Sequence, residues 1–162
     1  MAENISSFQL GIDLDARPSK AQAEVVGAAH VSAFAGQDSS DHFVTRDGMT
    51  FAGAHLIIDL WGANRLDDLA HVEEALREAV VASNATLLHI HLHHFTPNGG
   101  ISGVAVLAES HISIHTWPER NYAALDIFMC GDANPQKAIP VLDRAFTPAR
   151  IEVDELRRGR VK

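Results

Sequence analysis

The segment His55-Leu-Ile-Ile-Asp-Leu-Trp61 is followed by Gly62-Ala-Asn64, and then by Leu66, Leu69, Val72, Leu76 and Val80 at steps of three and four. The first run is apolar and β-branched, the composition of a buried strand. The Gly-Ala-Asn step turns the chain. The second run lays one apolar stripe along a helix that extends through about Ala82, with Asn84 as a left-handed stop. This strand–turn–helix unit sets the frame for the rest.

Downstream, Thr86 to about Phe95 reads as a strand, Pro97-Asn-Gly-Gly100 as a turn, and Ile101–Leu107 as the next strand. The alternating stretch that ends at Trp117 forms another, and Ala123–Cys130 one more. Gly131 through Asn134 turns into a helix opened by Pro135, a residue suited to a first helical position. Pro140 is expected to kink or shorten that helix. Residues 150–156 form the last strand, ahead of a basic tail, Arg157-Arg158-Gly159-Arg160. A βαββ run, further strands and a closing αβ predict a single sheet with helices on one face.

Upstream, the chain is less patterned. Phe8, Leu10, Ile12 and Leu14 alternate as a short strand would, and residues 17–41 read as a weak helix or a loop. Phe43-Val-Thr-Arg-Asp-Gly-Met-Thr-Phe51 carries Asp47-Gly48 between β-prone residues, a hairpin signal. We take residues 1–53 as an N-terminal extension and 54–162 as the domain.

Bulk properties bound the function. A chain of 162 residues suits one core, and 46% hydrophobic content is ordinary for a globular protein. The formal charge of −8 repels phosphate backbones, which argues against nucleic acid as a partner. The single cysteine permits no internal disulfide and makes a cysteine-based zinc site improbable. The N-terminal residues lack the basic start and apolar core of a secretory signal, and no apolar run reaches membrane-spanning length, so a cytoplasmic protein is expected.

Two constellations carry reactive groups. In His89-Ile-His-Leu-His-His94, strand alternation puts His89, His91 and His93 on one face. Such a face can bind a metal, but a polar face toward solvent or another subunit gives the same string, and no metal is assigned. The second is Glu109-Ser-His-Ile-Ser-Ile-His-Thr-Trp-Pro-Glu119, followed by Cys130. A hydrolase triad can be drawn from Ser110, His115 and Glu119, yet no Gly-x-Ser-x-Gly elbow surrounds Ser110.

This second stretch, with Ser102-Gly103-Val104 before it and Tyr122–Gly131 after it, closely resembles the short bacterial S-adenosylmethionine decarboxylase proenzymes. The resemblance runs from about Ala54 to Arg160 and includes His55-Leu-Ile-Ile-Asp-Leu, Leu87-Leu-His-Ile-His and Arg158-Gly159-Arg160. It implies an α+β fold, a two-layer α/β sandwich with an antiparallel sheet and helices on one face. It also implies self-cleavage between Glu109 and Ser110. The Ser110 hydroxyl attacks the preceding carbonyl, and β-elimination then leaves dehydroalanine, which hydrolyses to a covalent pyruvoyl group. By the same resemblance His115 is the processing base and Ser102 assists the cut. An imidazole suits that role because it exchanges protons near neutrality.

The implied pyruvoyl cofactor forms a Schiff base with the amine of S-adenosylmethionine and accepts electrons as carbon dioxide leaves. Cys130 matches the family's proton donor; on packing grounds alone it would read as a small buried hydrophobe. Phe95 matches an aromatic that stacks on adenine, Glu119 a carboxylate that grips the ribose, and Trp117 lies near them as a pocket wall. Asp59 and Trp61 are secondary candidates for the same pocket. The turn Pro97-Asn-Gly-Gly-Ile101 is one residue longer than the family's Pro-Gln-Gly-Val.

The product would feed polyamine (spermidine) synthesis, and a homodimer with active sites between protomers is implied. Two alternatives are a relative acting on another amino acid such as arginine, and an unprocessed, non-catalytic paralogue. Phe95 and Glu119 favour the adenosyl substrate; Glu109, Ser110, His115 and Cys130 together argue against the paralogue.

Overall fold

The structure, a computed structural model, describes residues 42–161. The strand and loop expectations for residues 8–14 and 17–41 lie outside the described residues. The run 55–61 sits in β3 (Gly53–Trp61), where Leu56, Ile58 and Leu60 face inward while Ile57, Asp59 and Trp61 face the other way. Helix α1 (Leu69–Ala82) follows. Asp68 caps it, accepting from His71 N–H at 3.1 Å and held by Arg65 at 2.7 Å. Of the predicted stripe, Val72, Leu76 and Val80 are buried, joined by Ala75 and Ala79, whereas Leu69 at the start of the helix is exposed. Leu66 is buried as well, but ahead of the helix rather than in it. Asn84 ends the element at φ 58°, as expected of a left-handed stop.

Four strands then run in succession, β4 (Thr86–His94), β5 (Ile101–Ala108), β6 (His111–Trp117) and β7 (Tyr122–Met129), before helix α2 (Ile139–Phe146) and β8 (Arg150–Arg158). They form one six-stranded sheet in the order β4-β5-β6-β7-β3-β8, with antiparallel neighbours throughout. Side chains of one face alternate into a core with both helices: Ile112 and Ile114 from β6, Leu125 and Ile127 from β7, Leu76 from α1, Leu142 and Phe146 from α2. Burying one such aliphatic chain stabilises the fold by about 1.5–3 kcal/mol. The fold is therefore the expected α+β two-layer sandwich. Among the described residues its other sheet face carries no helix; we call it the open face.

The region of the two prolines differs from expectation. Pro135 opens a short 3-10 turn (Pro135–Ala138), and α2 begins separately at Ile139 with Pro140 in its first turn. Pro140 starts a helix rather than kinking one, because a first-turn residue needs no amide donor. The final strand also runs longer than 150–156. Arg157 and Arg158 pair with Ala54 and Gly53 of β3, so they belong to the sheet and not to a tail.

The hairpin expected at 43–51 is present as β1 (Val44–Arg46) and β2 (Met49–Phe51), turning at Asp47 and Gly48 with φ 54° and 72°. Positive φ at both positions is the primed-turn geometry that an Asp-Gly pair favours. Phe51 is wholly buried beneath the Arg157 guanidinium, 5.4 Å from its ring, and Thr50 C=O accepts from Val161 N–H at 2.9 Å. Among the described residues no helix is long and apolar enough to cross a membrane.

Candidate active site

Ser110 sits where β5 turns into β6. Leu107 and Ser110 exchange both backbone hydrogen bonds, at 2.9 and 3.1 Å, leaving Ala108 and Glu109 as the two turn residues. Because β6 and β7 pair antiparallel, this turn meets the end of β7 and the half-buried Cys130. Cys130 N–H donates to Ser110 Oγ at 3.3 Å, and the two side chains lie 3.8 Å apart, Oγ to Sγ. The thiol also donates to the Glu109 carbonyl oxygen at 3.2 Å. Hydroxyl, thiol and the carbonyl between them thus form one cluster at one end of the sheet.

His115 lies elsewhere. It is five positions beyond Ser110 in an extended segment, about 16 Å away at a strand's rise of ~3.3 Å per residue. Its cross-strand partner is Ser102, on the same open face. The sequence brought Ser110, His115, Ser102 and Cys130 together by resemblance; one protomer separates them into two pairs. Within one protomer the same separation keeps Ser110 away from the His115 and Glu119 of the conventional triad.

Around His115 the open face is a ladder of rings. Phe95 stacks on His115 at 6.3 Å, His115 on Trp117 at 4.1 Å, Trp117 on Tyr122 at 5.2 Å, and Tyr122 on Trp61 at 4.3 Å. The Arg150 guanidinium lies 5.6 Å from the Trp61 ring. Phe95, His115, Trp117 and Glu119 line one cavity of about 300 Å³, so the structure assembles the three residues expected to bind substrate. The neighbouring turn closes on itself: Phe95 N–H donates to Gly100 C=O at 2.7 Å, and Gly99 takes φ 74°. Glu119 stands on a 3-10 turn (Pro118–Arg120) that ends at Asn121 in the left-handed conformation.

Asp59 and Trp61 do not line that cavity. Tyr122 donates its hydroxyl to Asp59 at 2.5 Å, and Trp61 donates its indole N–H to Glu152 at 3.2 Å. The hydrogen bond to Asp59, helped by burial and by the charges of Asp59 and Glu152, pushes the Tyr122 phenol up to about 12. These residues brace the ladder.

His89, His91 and His93 do share the open face, opposite Val106, Val104 and Ser102 of β5. Among the described residues, no three His, Cys, Asp or Glu side chains are grouped to hold a metal ion. Sequence reasoning missed His42, whose Nε2 lies 3.6 Å from Glu109 Oε1. No motif surrounds it, so the sequence carried no signal.

A family model described as S-adenosylmethionine decarboxylase matches residues 54–159. Among curated proteins, the S-adenosylmethionine decarboxylase proenzyme of Thermomicrobium roseum is 51% identical over 114 residues, covering 70% of this chain and 98% of the relative. The proenzyme of Methanococcus aeolicus is 49% identical, covering 68% and 97% respectively. Among solved structures, the adenosylmethionine decarboxylase of Aquifex aeolicus superposes with a TM-score of 0.61 at 34% identity, covering 69% of this chain and 94% of that one.

Proposed function

Since the chain belongs to the S-adenosylmethionine decarboxylase family, we propose that it is a self-processing enzyme which cuts its own backbone between Glu109 and Ser110 and then decarboxylates S-adenosylmethionine. The single observation that carries this reading is the cluster at the β5–β6 turn: Ser110 Oγ beside the preceding carbonyl, with Cys130 bonded to both. In the cut, the Ser110 hydroxyl adds to the Glu109 carbonyl carbon, and the peptide nitrogen leaves as an amine, giving an ester. Removal of the Ser110 α-proton expels the Glu109 carboxylate. The dehydroalanine left behind takes up water and loses ammonia, which makes residue 110 a pyruvoyl group.

The residues present fit that group. Position 110 immediately precedes β6, is half-buried, and has a thiol and a backbone donor aimed at it. The ketone supplies an electrophile for the substrate's amine and a sink for the electrons released with carbon dioxide. Cys130, whose thiol lies beside Ser110 Oγ and the Glu109 carbonyl, holds the proton that must return to the substrate's α-carbon. Phe95 and Trp117 offer faces to the adenine and the sulfonium cation, and Glu119 accepts from the ribose hydroxyls.

His115 is the base for the cut and Ser102 its helper, but neither reaches Ser110 within one protomer. The reading therefore takes a symmetric homodimer in which the Ser102–His115 pair of one protomer faces the Ser110–Cys130 cluster of its partner. The open face, which no helix of the described residues covers, supports such a contact. In this reading residues 54–162 form the catalytic domain, residues 1–53 extend it, and the enzyme works in the cytoplasm, supplying an aminopropyl donor for polyamine synthesis. Nucleic acid and membrane have no part in it.

Intact-mass measurement tests the cut. Purified protein should give two fragments split at Ser110, and borohydride should add two hydrogens to the C-terminal one, whose N-terminus resists Edman sequencing. A single unmodified chain after prolonged incubation would sink the reading. Decarboxylation of S-adenosylmethionine, compared with arginine, fixes the substrate.

A further inference from the structure

The hairpin β1–β2 lies upstream of residues 54–159 that match the family, yet the segment leading into it touches the scissile turn. His42 does so from two directions. Its carbonyl accepts from Gly131 N–H at 2.9 Å, the residue next to Cys130, and its Nε2 lies 3.6 Å from the Glu109 carboxylate. Residues on both sides of the thiol–hydroxyl cluster are thereby joined through one side chain and its own backbone. His42, Glu109 and Cys130 line a single cavity of about 350 Å³ with Asp132.

The hairpin that follows His42 is anchored to the sheet. Asp47 pairs with Arg157 at 2.6 Å, Arg46 with Glu155 at 3.6 Å, and Phe51 is buried under Arg157. His42 thus reaches the turn from a braced support.

We propose that His42 is a positioning residue for self-cleavage, acting through the Glu109 side chain. This inference rests on the self-cleavage proposed above. The attack requires the Glu109 carbonyl carbon to stay within reach of Ser110 Oγ, and Glu109 belongs to a two-residue turn whose peptide planes can rotate. Cys130 Sγ holds the carbonyl oxygen at 3.2 Å, and His42 holds the far end of the same residue. Fixing both ends of Glu109 limits that rotation and keeps the reacting atoms aligned. The His42 and Glu109 side chains are 54% and 68% exposed, so water screens their attraction and the effect on rate is modest. An exposed pair of this kind corresponds to about a three- to fivefold change.

The test uses the full chain with His42→Asn, Glu109→Gln and the two combined, following cleavage of freshly made precursor by intact mass. Asparagine tolerates the φ of 50° at position 42 and keeps the carbonyl that Gly131 donates to, so the backbone contact survives. His42→Asn should slow the cut about three- to fivefold with an unchanged unfolding midpoint. Glu109→Gln should slow it similarly, and the double variant should be no slower than the slower single one. Wild-type speed in His42→Asn overturns the proposal, and so do losses that multiply in the double variant, since the two side chains would then act independently. A wild-type chain that never cuts removes the self-cleavage reading itself, and with it this one; a wild-type chain that cuts beside an unaffected His42→Asn removes only the role of His42.

Discussion

Two inactive proteins should make an active one. On the proposed reading Ser110→Ala removes the nucleophile and His115→Ala the base, and each variant alone should remain uncut. Ser110 and His115 are about 16 Å apart along β6, whereas a general base must come within about 3.2 Å of its proton or act through one water. A protomer cannot close that gap without dismantling its own sheet, so on the proposed reading the working pairs form across a two-fold axis. In a mixed dimer one site then inherits both defects and the other inherits none. Random assembly gives about half mixed dimers, so co-expression should restore about a quarter of the wild-type sites. With a different affinity tag on each variant, doubly purified dimers should reach about half. Intact mass reads the cut fraction, and carbon dioxide release reads turnover. Pairing Ser110→Ala with Cys130→Ala makes the control: both residues lie in one cluster, and no turnover should return. Doubly tagged Ser110→Ala and His115→Ala dimers that stay uncut and inactive would refute the reasoning, as would efficient cutting by His115→Ala alone.

Other expectations follow from single contacts. The chain has one tyrosine, so absorbance at alkaline pH reads Tyr122 alone; its midpoint should lie near 12, and Asp59→Asn should bring it back toward 10. Because the folded value is raised, this contribution to stability is whole below pH 10 and is lost as pH rises through 12, which denaturant titration at high pH can follow. Gly103→Ala should destabilise by more than about 2 kcal/mol, because its added carbon would meet the backbone of β4 at His91 and Leu92; equilibrium unfolding measures this. The Arg65 hydrogen bond, with the His71 amide, lowers the Asp68 carboxyl, so its stabilisation is present above the ordinary carboxylate range and fades as pH falls through the lowered value. Asp68→Asn should keep the cap but flatten that acid dependence, as read by helical circular dichroism during acid titration.

The strands and α1 were legible because apolar alternation and steps of three and four map directly onto the two sides of the sheet and the stripe of the helix. The helix near Pro135 was not, since two prolines five residues apart fit either one kinked helix or a 3-10 turn and a fresh start. Which occurs depends on where residues 135–146 land against α1, a tertiary matter. The site was legible in its parts and not in its grouping. Cys130 reaches Ser110 only because β6 and β7 are neighbours, which no local pattern states. The distance from Ser110 to His115 was available from strand rise alone. His42 could be found only by folding the chain.

The order of the sheet has a bearing on what remains after the cut. A break between Glu109 and Ser110 assigns β3, β4 and β5 to one fragment and β6, β7 and β8 to the other. In the sheet these alternate, for β3 lies between β7 and β8, both from the later fragment. The two polypeptides are therefore interleaved like clasped fingers, sharing one core and a ladder that changes ownership three times along its width. Neither piece can leave without unfolding the other. A chain cut there, as proposed, would still melt as a single body, because each fragment supplies strands that the other needs to complete the sheet.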